Sequence, residues 1–234
     1  MHSYSSVSAR HYTAYRPPLH RPILETALHQ RRFAKALDVG CGVGHSCKAL
    51  LPFCDRVIGL DSSPQMISSA EKHPCISYVS SPAGTLPARE GPFDLVSLAG
   101  VLPYLDVTPL ADKLKRVCRR SAMVLVYDFK IDLDGIVAAL NLPHTPSMYD
   151  YNHATNLSGA AGYTTLDAKS EQMSFSVTSR ELASLLLANE DRARCIADCL
   201  GQEDPTNGLV LQIDKKIANL TLSATTWYAL HRQD

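Results

Sequence analysis

Leu37-Asp38-Val39-Gly40-Cys41-Gly42-Val43-Gly44 is the stretch that decides the fold. It stands where a short apolar run, Ala34 to Val39, gives way to a run at helical spacing, Val43 to Leu51. Glycines at 40, 42 and 44 carry no Cβ, so the backbone there can turn sharply and lie flat against a ligand. A helix N-terminus follows with its unpaired N–H groups, and open α/β sheets bind ligands at this carboxyl end of their strands. Asp38 reads as a buried carboxylate, whose desolvation calls for a partner. An ammonium group on a ligand would supply one, directly or through water.

Outward from this turn the chain alternates. Leu19 to Phe33 is helical by the spacing of Leu19, Ile23, Leu24, Ala27 and Leu28. Arg56 to Leu60, Ile76 to Val79, Phe93 to Leu98 and Met123 to Tyr127 read as strands. Between them, Pro64 to Lys72 is a helix with Ser62 or Ser63 as N-cap, and Thr108 to Cys118 is a helix ending in Lys115 and Arg116. Such alternation predicts a parallel sheet covered by helices on both faces. Beyond Asp128 the pattern gives a helix at Asp132 to Leu140, a loop at Asn141 to Gly162 and helices at Arg180 to Leu187 and Ala193 to Leu200. Leu209 to Ile213 and Leu220 to Leu230 read as antiparallel strands at the sheet edge.

The chain has 234 residues, 45% of them hydrophobic, enough for one large domain with a sizeable core. Its formal net charge is zero, so no bulk attraction to nucleic acid or to an anionic membrane is expected. A small-molecule partner fits better, with the protein a monomer or homodimer. Seven cysteines occur without a CxxC pair, and Cys195 and Cys199 lack the His or Cys partners of a metal site, so no metal is expected. No long apolar run or apolar leader is present, and a cytoplasmic location is the expectation.

Two ligands compete for the glycine turn. A dinucleotide turn wants a third small residue where this chain has His45, which counts against an NAD-dependent oxidoreductase. The other reading is a GxGxG loop preceded by an acid two positions before its first glycine, the slot that Asp38 fills. Asp61 ends Val57-Ile58-Gly59-Leu60, twenty-one positions after Gly40. An acid at that strand tip can accept from both hydroxyls of a ribose, and it can also cap the helix that starts near Pro64.

In these residues the chain resembles the class I S-adenosylmethionine-dependent methyltransferases, and more narrowly the trans-aconitate methyltransferase-like group. The resemblance covers about residues 10 to 130. It runs through Tyr12-Thr13-Ala14-Tyr15-Arg16-Pro17, the glycine loop, Gly59 to Met66, Pro82-Ala83, Leu86-Pro87 and Phe93-Asp94-Leu95-Val96. It implies a Rossmann-like sheet of seven strands, mostly parallel with one reversed, and S-adenosylmethionine as cofactor with S-adenosylhomocysteine as product. It implies that Asp38, Gly40, Cys41, Gly42 and Gly44 pass along the methionine moiety and that Asp61 holds the ribose. Ser62 and Met66 would flank the adenine, Pro82 and Ala83 would meet its edge, and Ala99 and Gly100 would face the methyl end. Gly84 stands where relatives carry Glu, and Pro103-Tyr104 where they often carry His-Trp. The chain then divides into a lid and first helix (1–33), a cofactor-binding core (34–130), substrate-side helices with an insert (131–208) and edge strands (209–234).

Methyl transfer from a sulfonium is an in-line displacement, so the protein chiefly aligns the reactants and excludes water. A base is needed only when the nucleophile is protonated. No catalytic residue is therefore assigned from sequence. The acceptor is expected to be an oxygen or carboxylate of a small molecule, with a regulatory subunit that binds the cofactor without turnover as the alternative. His11, Tyr12, Tyr15 and Arg16 precede the first helix and can close over the site, Arg16 pairing with a carboxylate of cofactor or substrate. His144, Met148, Tyr149, Tyr151 and His153 cluster in the later loop. Tyr15, Tyr104, Tyr149 and His153 are the substrate-side candidates.

Overall fold

Strands buried on both faces need apolar side chains in succession, and the central strands of this chain have them. In the computed structural model these are β1 (Phe33–Val39), β2 (Cys54–Asp61), β3 (Ile76–Ser80), β4 (Phe93–Ala99) and β5 (Cys118–Ile131). Leu37, Val57, Leu60, Leu95, Leu98 and Val124 are fully buried. The structure describes residues 11, 14–82, 85–143 and 151–234. The readings placed on Tyr12, Ala83, Gly84, His144, Met148 and Tyr149 lie outside the described residues.

The sheet has seven strands in the order β3-β2-β1-β4-β5-β7-β6. Its first four pairings are parallel, with Asp38 opposite Gly59 on one side and Ser97 on the other, and Ala99 opposite Tyr127. Strand order reverses between β1 and β4. Their carboxyl ends therefore splay apart into a crevice, flanked by the loops that leave those two strands.

The early helices follow the sequence closely: α1 (His20–Leu28), α2 (His45–Leu50), α3 (Pro64–Ser69) and α4 (Val107–Val117). Ser63 is the cap of α3, its Oγ accepting from Met66 N–H, and Pro64 opens the first turn. In α4 the buried residues Leu110, Ala111, Leu114 and Val117 fall three and four apart, which makes the helix amphipathic. After β5 come α5 (Asp134–Ala139), β6 (Tyr163–Ser176), α6 (Ser179–Leu187), α7 (Glu190–Leu200), α8 (Thr206–Lys216) and β7 (Thr221–Gln233).

Three expectations change here. Leu209 to Ile213 is part of α8 and not a strand: Leu209 and Ile213, four apart, are buried while Leu211 is exposed, a helical pattern that the run Leu-Val-Leu-Gln-Ile hides. The late strand, β7, lies between β5 and β6 instead of at the edge. The edge is β6, a stretch to which the sequence reading assigned no element. It runs antiparallel to β7, since Thr165 meets His231, Asp167 meets Tyr228 and Gln172 meets Thr225.

Contacts group the chain into two compact units. A sheet unit comprises Pro18–Lys130, Tyr151–Glu171 and Thr226–Asp234, with a core that includes Leu37, Ile58, Phe93, Val96 and Leu114. A helical unit comprises Met1–Pro17, Ile131–Asp150 and Gln172–Thr225, with a core that includes Leu182, Leu186, Ile196, Leu209 and Ile213. Among the described residues no helix is long and apolar enough to cross a membrane, and all seven cysteines are free thiols.

His231 in β7 shows how the sheet unit responds to acid. It is fully buried, its Nε2 accepts from Leu157 N–H at 3.3 Å, and Nδ1 lies 3.1 Å from Thr165 Oγ1. Burial lowers its pKa to about 4. The unfolded chain, with an ordinary histidine near 6.5, binds the extra proton first, so the stability present at neutral pH drains away as pH falls from about 6.5 towards 4. Urea unfolding should show a loss of about 2 kcal/mol between pH 7.5 and 5 from this group. His231→Gln should flatten that slope, and an unchanged slope would remove His231 as its source.

Candidate functional site

The turn after β1 is built from backbone. Gly40, Gly42 and Gly44 all have positive φ, at 74°, 54° and 89°. Gly40 and Cys41 both donate their N–H to Leu60 O, at 2.7 and 3.0 Å, which ties the turn to β2. Cys41 is buried and its carbonyl accepts from Gly44 N–H, so it braces the bend and leaves the open side to glycine. A Cβ on Gly40 would lie 2.6 Å from Val101, and one on Gly44 2.2 Å from the Tyr78 hydroxyl. A Cβ on Gly42 would meet nothing within 4 Å. Two glycines are thus required by packing, and the middle one presents a bare face.

Asp61 joins the two strand tips. Its Oδ2 accepts from Gly42 N–H and its Oδ1 from Ser63 N–H, each at 2.8 Å. Every carboxylate oxygen has a second lone pair, so both can still accept from a vicinal diol. Asp61 therefore positions the start of α3 and keeps capacity for a ribose. Next to it Ser62 is exposed and Met66 half-buried, and beyond β3 Pro82 is exposed.

Asp38 finds partners inside the protein. It is fully buried, and its Oδ2 accepts from Ser46 Oγ and from Cys47 Sγ, both on α2. Burial raises its pKa, and the Ser46, Cys47 and Ser97 side chains oppose the rise. Oδ1 and the Ser97 hydroxyl, register partners across β1 and β4, both lie buried without a well-formed hydrogen bond. The carboxylate thus pins the glycine turn to α2, a role that its sequence position did not reveal.

On the other flank of the crevice, Ala99 and Gly100 leave β4, with Gly100 at φ 62° and its N–H donated to Tyr127 O. Tyr104, in the turn Leu102–Tyr104, is 65% exposed, and its ring centroid lies 5.4 Å from that of Tyr151. Tyr151 Oη lies 2.9 Å from Asp128 Oδ2 and 3.1 Å from Gly100 O. His153 Nδ1 is 2.8 Å from the same Asp128 oxygen. Tyr104 and His153 were read from the sequence as substrate-side residues; Asp128 and Trp227 were not. Asp128 looked like the end of a strand, and only a pairing across 25 residues gives it a role.

Tyr15 and Arg16 belong to the helical unit. Tyr15 lines a cavity of about 470 Å³ there with His11, Arg180, Glu181 and Thr206. Burial and the neighbouring Glu181 push its phenol up to about 12.

Residues 37–126 match the protein family described as "Methyltransferase domain". The chain is 27% identical over 124 residues to the uncharacterized methyltransferase YcgJ of Bacillus subtilis, covering 48% of this chain and 49% of that protein. It is 36% identical over 90 residues to nodulation protein S of Rhizobium tropici, covering 37% of each. The chain thus spans half or less of the length of these curated relatives. Among solved structures, a protein of Anaeromyxobacter dehalogenans described as a type II methyltransferase superposes with a TM-score of 0.59, over 93% of this chain and 95% of that one. At 21% identity, that likeness is one of fold. Over its glycine turn and central strands, residues 37–126, the chain is therefore similar to methyltransferase domains.

Proposed function

We propose that this protein transfers a methyl group from S-adenosylmethionine to an oxygen or carboxylate of a small molecule. One observation carries the reading: Asp61, at the tip of β2, bonds the N–H of Gly42, whose open side has room for a ligand. Asp61 would hold the ribose, the Gly40–Gly44 bend the aminoacyl chain, Ser62, Met66, Pro82 and Ala83 the adenine, and Ala99 and Gly100 the methyl end. The bound group supplies an electrophilic methyl carbon on a sulfonium. The protein's own share is to align that carbon with the acceptor and exclude water. A formal net charge of zero gives no bulk attraction to nucleic acid, which favours a small acceptor.

Calorimetric binding of S-adenosylhomocysteine tests this. Wild type should bind, and Asp61→Ala should weaken binding by roughly 1–3 kcal/mol, about 5- to 150-fold, the scale of lost charge-assisted hydrogen bonds. Equal affinity in a folded Asp61→Ala protein would dismiss the ribose assignment.

A further inference from the structure

Asp128 follows Tyr127, the register partner of Ala99, so it stands in β5 just past the last residue paired with β4, beside Gly100. Its Oδ1 accepts from Phe129 N–H at 2.7 Å, which fixes the carboxylate. Its Oδ2 meets both the Tyr151 hydroxyl and His153 Nδ1. The imidazole is held on two further sides. It stacks on Trp227 with centroids 5.2 Å apart and planes 12° apart, and it meets the Tyr151 ring edgewise at 4.6 Å. With Nδ1–H donated to Asp128, Nε2 carries the lone pair, and among the described residues nothing hydrogen-bonds it. His153 also lines a cavity of about 240 Å³ with Thr155, Asn156, Trp227 and Tyr228. All these residues belong to the sheet unit.

We propose that His153 is a general base, oriented by Asp128, and that the acceptor is a phenolic hydroxyl; this rests on the methyltransferase reading above. A carboxylate acceptor needs no base. An imidazole, whose ordinary pKa is about 6.5, is better matched to the acidity of a phenol, at about 10, than to that of an aliphatic alcohol. Trp227, Tyr151 and the exposed Tyr104 supply faces and edges for an aromatic ring. The phenol proton passes to Nε2 as the oxygen's electron pair forms the O–CH₃ bond. The C–S bond breaks with its pair left on sulfur, which discharges the sulfonium to a thioether. Asp128 steadies the imidazolium until its proton leaves to water.

The test uses 4-nitrophenol, whose ionised form alone is yellow, added to protein saturated with S-adenosylhomocysteine at about pH 7, where an ordinary imidazole is mostly neutral, and reads the ionised fraction of bound probe above that of free probe. Wild type should turn bound probe yellow, and His153→Gln should cut that signal about tenfold while S-adenosylhomocysteine affinity stays within about twofold. Asp128→Asn should lower the signal about threefold and Asp128→Glu restore it, a pattern that loss of packing alone would not give. Equal colour in His153→Gln, or none in a wild type that binds S-adenosylhomocysteine, overturns the base assignment and leaves the methyltransferase reading intact. A wild type that does not bind S-adenosylhomocysteine sinks both. Should His153→Gln fail to bind S-adenosylhomocysteine, the Asp128 pair decides the matter alone.

Discussion

Gly40→Ala is expected to lower the unfolding free energy by about 2–5 kcal/mol and to abolish measurable binding of S-adenosylhomocysteine. Two costs add. An L-residue at φ 74° sits in the left-handed region, at about 1–2 kcal/mol. The new methyl would also lie 2.6 Å from Val101 Cγ2 and 2.9 Å from Val101 Cβ, an overpacking on the order of 1–3 kcal/mol. A Cβ cannot swing aside as a side-chain tip can, so Val101 must carry its backbone with it. The turn Leu102–Tyr104 that follows would move too. Val101→Ala should therefore recover only part of the loss in the double variant. Gly42→Ala is the contrast. At φ 54° it carries the backbone cost but meets no atom, so it should lose only about 1–2 kcal/mol of stability. Its affinity for S-adenosylhomocysteine should nonetheless fall at least about tenfold, because the methyl would occupy the open face proposed for the ligand. Urea unfolding and calorimetry on the two variants check the contrast. A Gly42→Ala protein that binds as wild type does would show that the ligand lies elsewhere.

That pair of glycines also marks how far sequence alone reaches. The bend and Asp61 were legible because their partners are local or lie on the adjacent strand, and glycine leaves few alternative explanations. The central strands were legible because burial on both faces demands uninterrupted apolar runs. β6 was not: an edge strand exposed along most of its length can be polar, and Thr164 to Gln172 is built that way. Nor was α8, where the buried pair Leu209 and Ile213 is masked by the exposed Leu211 between them. The Asp128–His153 pair was hidden for another reason. It depends on the segment that carries His153 returning to Asp128 in β5, and nothing periodic in the sequence of residues 141–162 announces where that segment lands. Asp38 was legible as a buried acid, but its partners on α2 were not, because Ser46 and Cys47 look like ordinary small helix residues.

Asp38 gives the second large effect, and two substitutions separate its possible roles. Asp38→Ala removes the acceptor for Ser46 Oγ and Cys47 Sγ and opens a buried void, so unfolding free energy should fall by about 2–4 kcal/mol. Asp38→Asn keeps an oxygen for Ser46 and turns an amide N–H towards Ser97, whose hydroxyl has no well-formed bond. It should be at least as stable as wild type. The sign of the pH dependence follows from burial, which raises the Asp38 pKa above its ordinary value of 3.8. A carboxyl raised on folding contributes its stability below that ordinary value and loses it as pH climbs through the raised one, because the native state holds the proton longer. Wild type should therefore fall behind Asp38→Asn as pH rises from about 4, and urea midpoints across that range would show it. An asparagine variant as unstable as the alanine variant would mean that charge, not hydrogen bonding, holds α2 to the turn. Binding then completes the argument. If the carboxylate serves only to pin α2, Asp38→Asn should bind S-adenosylhomocysteine as wild type does. If its negative charge also reaches the ligand's ammonium group, affinity should drop about tenfold with the fold intact.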